Sequence, residues 1–206
     1  MSQRAAALAA IEVPGDSTPW QSLGFGVDDG VIALANGAIR VGAETTSLIV
    51  ERLDGPAEIE AVAVAVDGIR VRSGASLAGV EQPNGALELD HVVLMTDSID
   101  RTSADVERVL GLSQRRIRET ERVRQAFHRF ADTDEARGCI VEVVERADLS
   151  GTSLWGLVVN VADLDAAVAA GAGLLGAPRD AVQPGRRIAT VGRAAGLPLA
   201  VAFMSR

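Results

Sequence analysis

Residues 89–112, LDHVVLMTDSIDRTSADVERVLGL, decide how the rest of the chain is read. A short apolar run, HVVLMT, is rich in branched residues and reads as a buried strand. The segment DSIDRTSADVERVLG starts with capping residues and ends at Gly, the punctuation of a helix. Val106, Val109 and Leu110 make an apolar stripe along it, which predicts packing against a sheet. His91 stands near the start of the strand. An imidazole there is either a metal ligand or a residue that hydrogen-bonds nearby backbone or a carboxylate.

The same pattern returns 65 residues later, in LWGLVVNVADLDAAVAAGAGLLGA. His91 then falls on Gly156, Asp100 on Asp165, Leu110 on Leu175 and Gly111 on Gly176, without a gap. Leu164, Ala167, Val168 and Leu174 supply the second helix's apolar positions. Each copy continues in alternating runs: SQRRIRETE, VRQAFHRFAD and CIVEVVER after the first, PRDAVQP, RRIATVGR and LPLAVAFMS after the second. Each is therefore a strand, a helix and three further strands, with helices expected over 98–110 and 163–175. A fainter version precedes them. RAAALAAIEV reads as a strand, STPWQSLGF as a short capped helix, and VIALAN, GAIRVG and TSLIVERL as three more strands. EIEAVAVAVDGIRVR reads as an extra hairpin, and SGASLAGVEQPNGALE as a linker. The expected division is a degenerate N-terminal βαβββ-like module at 1–72, a linker at 73–87, and modules at 88–147 and 153–206. The fold class is α+β, with paired βαβββ modules forming curved mixed sheets around a cavity.

Composition narrows the function. A net charge of −8 argues against nucleic-acid binding, which needs cationic side chains facing phosphate. The arginines of LSQRRIRETERVRQAFHRF are interleaved with acids and read as solvated strand faces. The N-terminal apolar stretch is too short for a membrane span and lacks a signal-peptide profile. The one cysteine, Cys139, rules out an intrachain disulfide and reads as a small buried hydrophobe. These features predict a cytoplasmic protein acting on a small molecule, without nucleic acid or membrane, either monomeric or as a homodimer.

Paired modules of this kind resemble the vicinal oxygen chelate proteins, which include glyoxalase I, bleomycin-binding resistance proteins, fosfomycin-resistance enzymes and extradiol dioxygenases. The resemblance is clearest over residues 88–206, in LDHVVLMTDSIDRTSADVERVLGL, in the closing strand GCIVEVVER, and in LWGLVVNVADLDAA. It implies two modules enclosing a cavity, with metal, where present, held by His or Gln on first strands and Glu on last strands. A divalent cation there stabilises charge developing on two neighbouring substrate oxygens. Imidazole and carboxylate ligands suit Fe, Mn, Zn, Ni or Co.

On that pattern His91 and Glu142 occupy ligand positions in the first clear module. In the second, Gly156 and Ala202 stand opposite them and cannot coordinate through side chains. Two protein ligands hold a catalytic metal weakly. Glu51, in SLIVERL, matches Glu142 in CIVEVVE and is the candidate third ligand. Gln125 and Arg129 are candidate ligand-binding residues; strand parity puts Gln125, Phe127 and Arg129 on one face and His128 on the other. Trp155 is a candidate for the cavity mouth. Arg187, beside Arg186 after a Pro-Gly turn, is the candidate for holding an anionic group, since neighbouring strand residues alternate faces and one of the two points inward. Two readings follow. One is a protein binding a small oxygenated or anionic molecule without a cofactor. The other is a metal-dependent lyase, isomerase or dioxygenase with His91 and Glu142 as ligands.

Overall fold

Strand-forming runs with an apolar side every second residue must bury that side, and here they do so in two mixed sheets. The computed structural model describes residues 6–52, 64–121, 123–133 and 136–206. In chain order the elements are β1 (Ala6–Val13), α1 (Thr18–Ser22), β2 (Val31–Leu34), β3 (Gly37–Val41), β4 (Ser47–Arg52), β5 (Val64–Val66) and β6 (Ile69–Ser73). Then follow β7 (Ala86–Thr96), α2 (Ile99–Asp105), β8 (Arg116–Glu119), β9 (Arg124–Arg129) and β10 (Ile140–Glu145). The last group is β11 (Thr152–Val161), α3 (Leu164–Ala170), β12 (Arg179–Asp180), β13 (Arg187–Thr190) and β14 (Ala200–Ser205).

The second sheet has the strand order β12-β13-β14-β11-β7-β10-β9-β8. Its halves are related by a pseudo-two-fold. β7 runs parallel to β10, as β11 does to β14, and β7 and β11 join the halves antiparallel. His91 pairs with Val158 and Val93 with Gly156, so the central ladder is symmetric about the 65-residue repeat. The helix caps obey the same shift. The Ser98 hydroxyl accepts from Arg101 N at 3.4 Å, and the Asp163 carboxylate from Ala166 N at 3.0 Å. Each satisfies one of the amides a helix start leaves unpaired. The first helix continues as a π-helical turn, Val106–Leu110, and stops at Gly111, whose φ of 72° is left-handed. The second is shorter than expected: α3 ends at Ala170, and residues beyond it form turns in which Ala172 has φ of 49°.

The first sheet, in the order β2-β3-β1-β4-β6-β5, changes the reading of the N-terminal region. β1 and β4 are antiparallel, as β7 and β11 are, while β3 lies parallel to β1 and β6 to β4. SLIVERL therefore opens a second abbreviated unit and does not close the first. Each unit lacks one strand among the described residues. Strand propensity identifies such a segment but not which neighbour it pairs with, which depends on packing. Residues 58–63 of the expected hairpin lie outside the described residues. Its described part turns at Asp67-Gly68, both with positive φ, as a two-residue hairpin turn requires.

One apolar core runs between the sheets. Leu8, Ile11, Leu48 and Val50 from the first sheet join Val92, Leu94, Val141, Val159 and Phe203 from the second, with Val106 and Leu110 from the π-helical turn. Trp20 packs edge-on against Phe25, and Phe25 against Phe203, carrying α1 onto β14. Asp67 fastens the β5–β6 turn to both modules: it accepts from Arg101 and from the hydroxyls of Thr102 and Thr152. Residues 74–85 have neither helix nor strand, yet buried Gln82 and Asn84 tie them down through Gly26 N, Ala33 O and Leu23 O. With helices and the first sheet on one face of the eight-stranded sheet, the alternate residues of its strands are left on the other, open face.

Candidate functional site

On the open face, Val93 and Met95 of β7, Glu142 and Val144 of β10, Trp155 and Val158 of β11, Ile188 and Thr190 of β13 and Ala202 of β14 surround a cavity of about 270 Å³. His91 lines it too, and Arg179 stands exposed at its margin. The first module supplies the polar wall. The second supplies an apolar one, because Gly156 and Ala202 take the places of His91 and Glu142. The register makes this explicit: Val93 pairs with Glu142 on β10, and its repeat-mate Val158 pairs with Ala202 on β14.

His91 is held between two carboxylates. Its Nδ1 lies 2.7 Å from Asp90 Oδ2, and its Nε2 lies 3.5 Å from Glu142 Oε2. Strict alternation would send the neighbours Asp90 and His91 to opposite faces. A β-bulge opposite Val158 and Val159 absorbs one residue, so both side chains reach the polar row. Gln125 on β9 donates to the other Glu142 oxygen. Beyond Asp90 the row continues. Arg186 donates to Asp90 Oδ1 at 2.8 Å, to Ser205 O at 2.8 Å and to the Asn160 side-chain oxygen. Asn160 Nδ2 in turn donates to Glu88 Oε1 at 3.0 Å. The Asp90 carboxyl feels burial, which raises it, but the hydrogen bonds and charges of His91 and Arg186 outweigh this and hold it down at about 2. It is therefore ionised at neutral pH and fixes the orientation of the imidazole.

The residues singled out from sequence separate in space. His91, Glu142 and Gln125 come together, and Trp155 lines the same cavity with 48% of its surface exposed. Arg129 lies beyond them, against Gly138 O and Asp132, and lines a different cavity. Phe127 shares the side of Gln125, whereas His128 is buried in the core and donates from Nδ1 to Leu112 O. Arg187 is corrected by the structure: its guanidinium pairs with Asp165 of α3 at 2.8 and 3.1 Å, away from the cavity, and Arg186 is the one that turns inward. Glu51 is corrected as well. It sits on β4 of the other sheet and accepts from Ser76 N at 3.0 Å. Gln3 and Arg4, which fall near the matching N-terminal first strand, lie outside the described residues. Asp90, Asn160 and Arg179 had no sequence signal of their own: a bulge turns Asp90 into the row, a cross-strand contact with Glu88 holds Asn160 there, and Arg179 reaches the cavity margin from β12.

Those placements bear on metal binding. His91 and Glu142 are one imidazole and one carboxylate from a single module, and the facing wall offers Gly156 and Ala202. Among the described residues no group of three His, Cys, Asp or Glu side chains stands close enough to hold an ion. The donor set does not fit a three-ligand divalent-metal centre. Cys139 is buried in the core, where burial pushes its thiol up and away from the reactive thiolate.

No family model and no curated protein matches the sequence. Solved structures do match in shape. A mutant of 4-hydroxymandelate synthase from Streptomyces coelicolor superposes with a TM-score of 0.61 at 13% identity, covering 99% of this chain and 93% of that one. Methylmalonyl-CoA epimerase from Mycobacterium tuberculosis gives a TM-score of 0.48 at 15% identity, covering 59% of this chain and 89% of that one. The Streptomyces coelicolor epimerase in complex with 2-nitronate-propionyl-CoA gives 0.47 at 19%, covering 57% and 95%. With its paired strand–helix–strand–strand–strand halves about a pseudo-two-fold, and with a neighbour matching over nearly its whole length, the chain has a glyoxalase-like fold.

Proposed function

We propose that the chain binds a small oxygenated molecule in the open-face cavity without the help of a metal. The observation that carries this reading is the asymmetry of the cavity: a hydrogen-bonding wall of His91 and Glu142 faces an apolar wall of Val158, Ile188 and Ala202. Such a site suits a ligand with an apolar body and an oxygen at one end. Arg179, which has no ion-pair partner among the described residues, is placed to meet a carboxylate on that ligand, the part assigned from sequence to Arg187. Among the described residues no helix is long and apolar enough to cross a membrane.

One observation favours the metal-dependent alternative. A carboxylate holding the far nitrogen of an imidazole, as Asp90 holds His91, is the usual support of a metal-binding histidine. That lyase, isomerase or dioxygenase reading needs a further ligand from outside the described residues or from a second copy of the chain. Calorimetric titration with Mn, Ni, Zn and Fe(II) separates the two. The metal-free reading expects no tight one-to-one uptake. Tight uptake abolished in both His91→Ala and Glu142→Ala would refute it. In parallel, the fluorescence of Trp155, isolated in a Trp20→Phe variant, is followed during titration with small aromatic and aliphatic 2-oxo and 2-hydroxy carboxylates. A saturable change is expected that survives a chelator and is weakened in Arg179→Ala.

A further inference from the structure

A second cavity, of about 530 Å³, opens where β7 begins and β11 ends. We propose that it is an anion site, built to take a doubly charged oxyanion group such as a phosphate or a dicarboxylate. Four arginines line it, Arg129, Arg137, Arg186 and Arg206, against two acidic residues, Glu88 and Asp90. In a chain of net charge −8 such a local cationic excess does not follow from composition. It is assembled from four separate parts of the chain.

The six charged groups are not equally committed. Glu88 and Asp90 already accept hydrogen bonds, from Asn160 and from His91 and Arg186. Arg186 is fixed by its three acceptors and contributes a positive floor. Arg129 donates Nε to Gly138 O at 3.1 Å and Nη2 to exposed Asp132 at 2.8 Å. Arg206 stands 3.7 Å from Glu88, beyond a hydrogen bond. The guanidinium of Arg137 has no ion-pair partner among the described residues, although its carbonyl is anchored by Asn36 Nδ2 at 2.8 Å. A fixed backbone with a cationic head unpaired among the described residues is an arrangement that lets a guanidinium close on an incoming oxyanion with two parallel hydrogen bonds. Leu89 and Ile140 supply the apolar part of the wall and lessen the screening of these charges. The site shares no lining residue with the cavity of the proposed function and does not rest on that reading.

The test is calorimetric titration of the full chain at low, fixed ionic strength, one arm with inorganic phosphate and one with malonate. One-to-one binding of at least one of them at up to millimolar concentration is expected. Arg137→Ala and Arg206→Ala, both at exposed side chains, should each weaken it by about tenfold, the loss of a charge-assisted contact. Glu88→Gln keeps a partner for Asn160, removes a competing charge and should tighten it. Arg187→Ala, whose guanidinium pairs elsewhere, should leave it unchanged. The proposal is overturned if neither anion binds, if the Arg137 and Arg206 variants bind as the parent does, or if Arg187→Ala weakens binding as much as they do. The last result would mean general surface charge.

Discussion

Replacing Asp90 by Asn removes the charge on which His91 and Arg186 converge while keeping the side-chain shape. An amide can still offer its oxygen to Arg186 and its NH₂ to an unprotonated Nδ1, so the geometry of the row is kept and its charge is lost. The carboxyl sits at about 2 in the folded chain, against an ordinary 3.8. At about 1.36 kcal/mol per pKa unit, that drop is worth about 2 kcal/mol of folding stability. The sign follows from the depression. The contribution is complete above 3.8 and is lost as pH falls through about 2, where the folded carboxylate finally takes its proton. Asp90→Asn should therefore be less stable than the parent by about 2 kcal/mol at neutral pH, and the gap should narrow below about pH 4. Urea unfolding of both proteins at a series of pH values reads this directly, provided the slopes agree. A variant within about 0.5 kcal/mol of the parent at neutral pH, or a gap that stays constant into acid, would refute the idea that buried charge organises the row.

Three further outcomes are expected. A Cβ at position 156 would stand 2.6 Å from Ala200 O and 3.1 Å from Ala200 Cβ, so Gly156→Ala should cost about 1–3 kcal/mol and lower the melting temperature by several degrees. An unchanged melt would show that β14 yields freely and that a ligand could be restored there. His128 donates from Nδ1 to Leu112 O while its buried Nε2 has no partner among the described residues, and burial lowers its pKa below the ordinary 6.5. Its contribution is complete above 6.5 and shrinks as pH falls below that, so His128→Asn should lose less stability than the parent on acidification from pH 7 to about 5 in urea titrations; equal losses would count against it. Arg187→Ala breaks an exposed ion pair with Asp165 and should leave the thermal melt essentially unchanged, a clear drop in melting temperature marking the pair as an anchor for α3.

The repeat at 65 residues was legible because both halves of the eight-stranded sheet obey the same local rules: a branched strand, a polar cap, an amphipathic helix and a closing glycine. These signals act within a few residues of each other, so periodicity reports them. The match of His91 to Gly156 and of Glu142 to Ala202 was legible for the same reason, and strand register reproduces it. The N-terminal region shows where such signals stop. SLIVERL reads as a strand in any context, but its likeness to CIVEVVE concealed that it pairs with β1 as an opening strand. Local composition does not encode which edge of a neighbour a strand will take.

By itself the sequence determined the order of strands and helices in residues 88–206, though not the length of the second helix, together with their two-fold plan and the imbalance of polar residues between the two halves. Tertiary structure decided the rest of the site. A one-residue bulge turned Asp90 to the same row as His91, and the β12–β13 turn aimed Arg186 inward and Arg187 at α3. The physical reason is range. Hydrophobic period and capping are set by neighbours along the chain, whereas a bulge and a cross-sheet hydrogen bond are settled by which arrangement leaves fewest buried polar groups unpaired, a property of the folded whole.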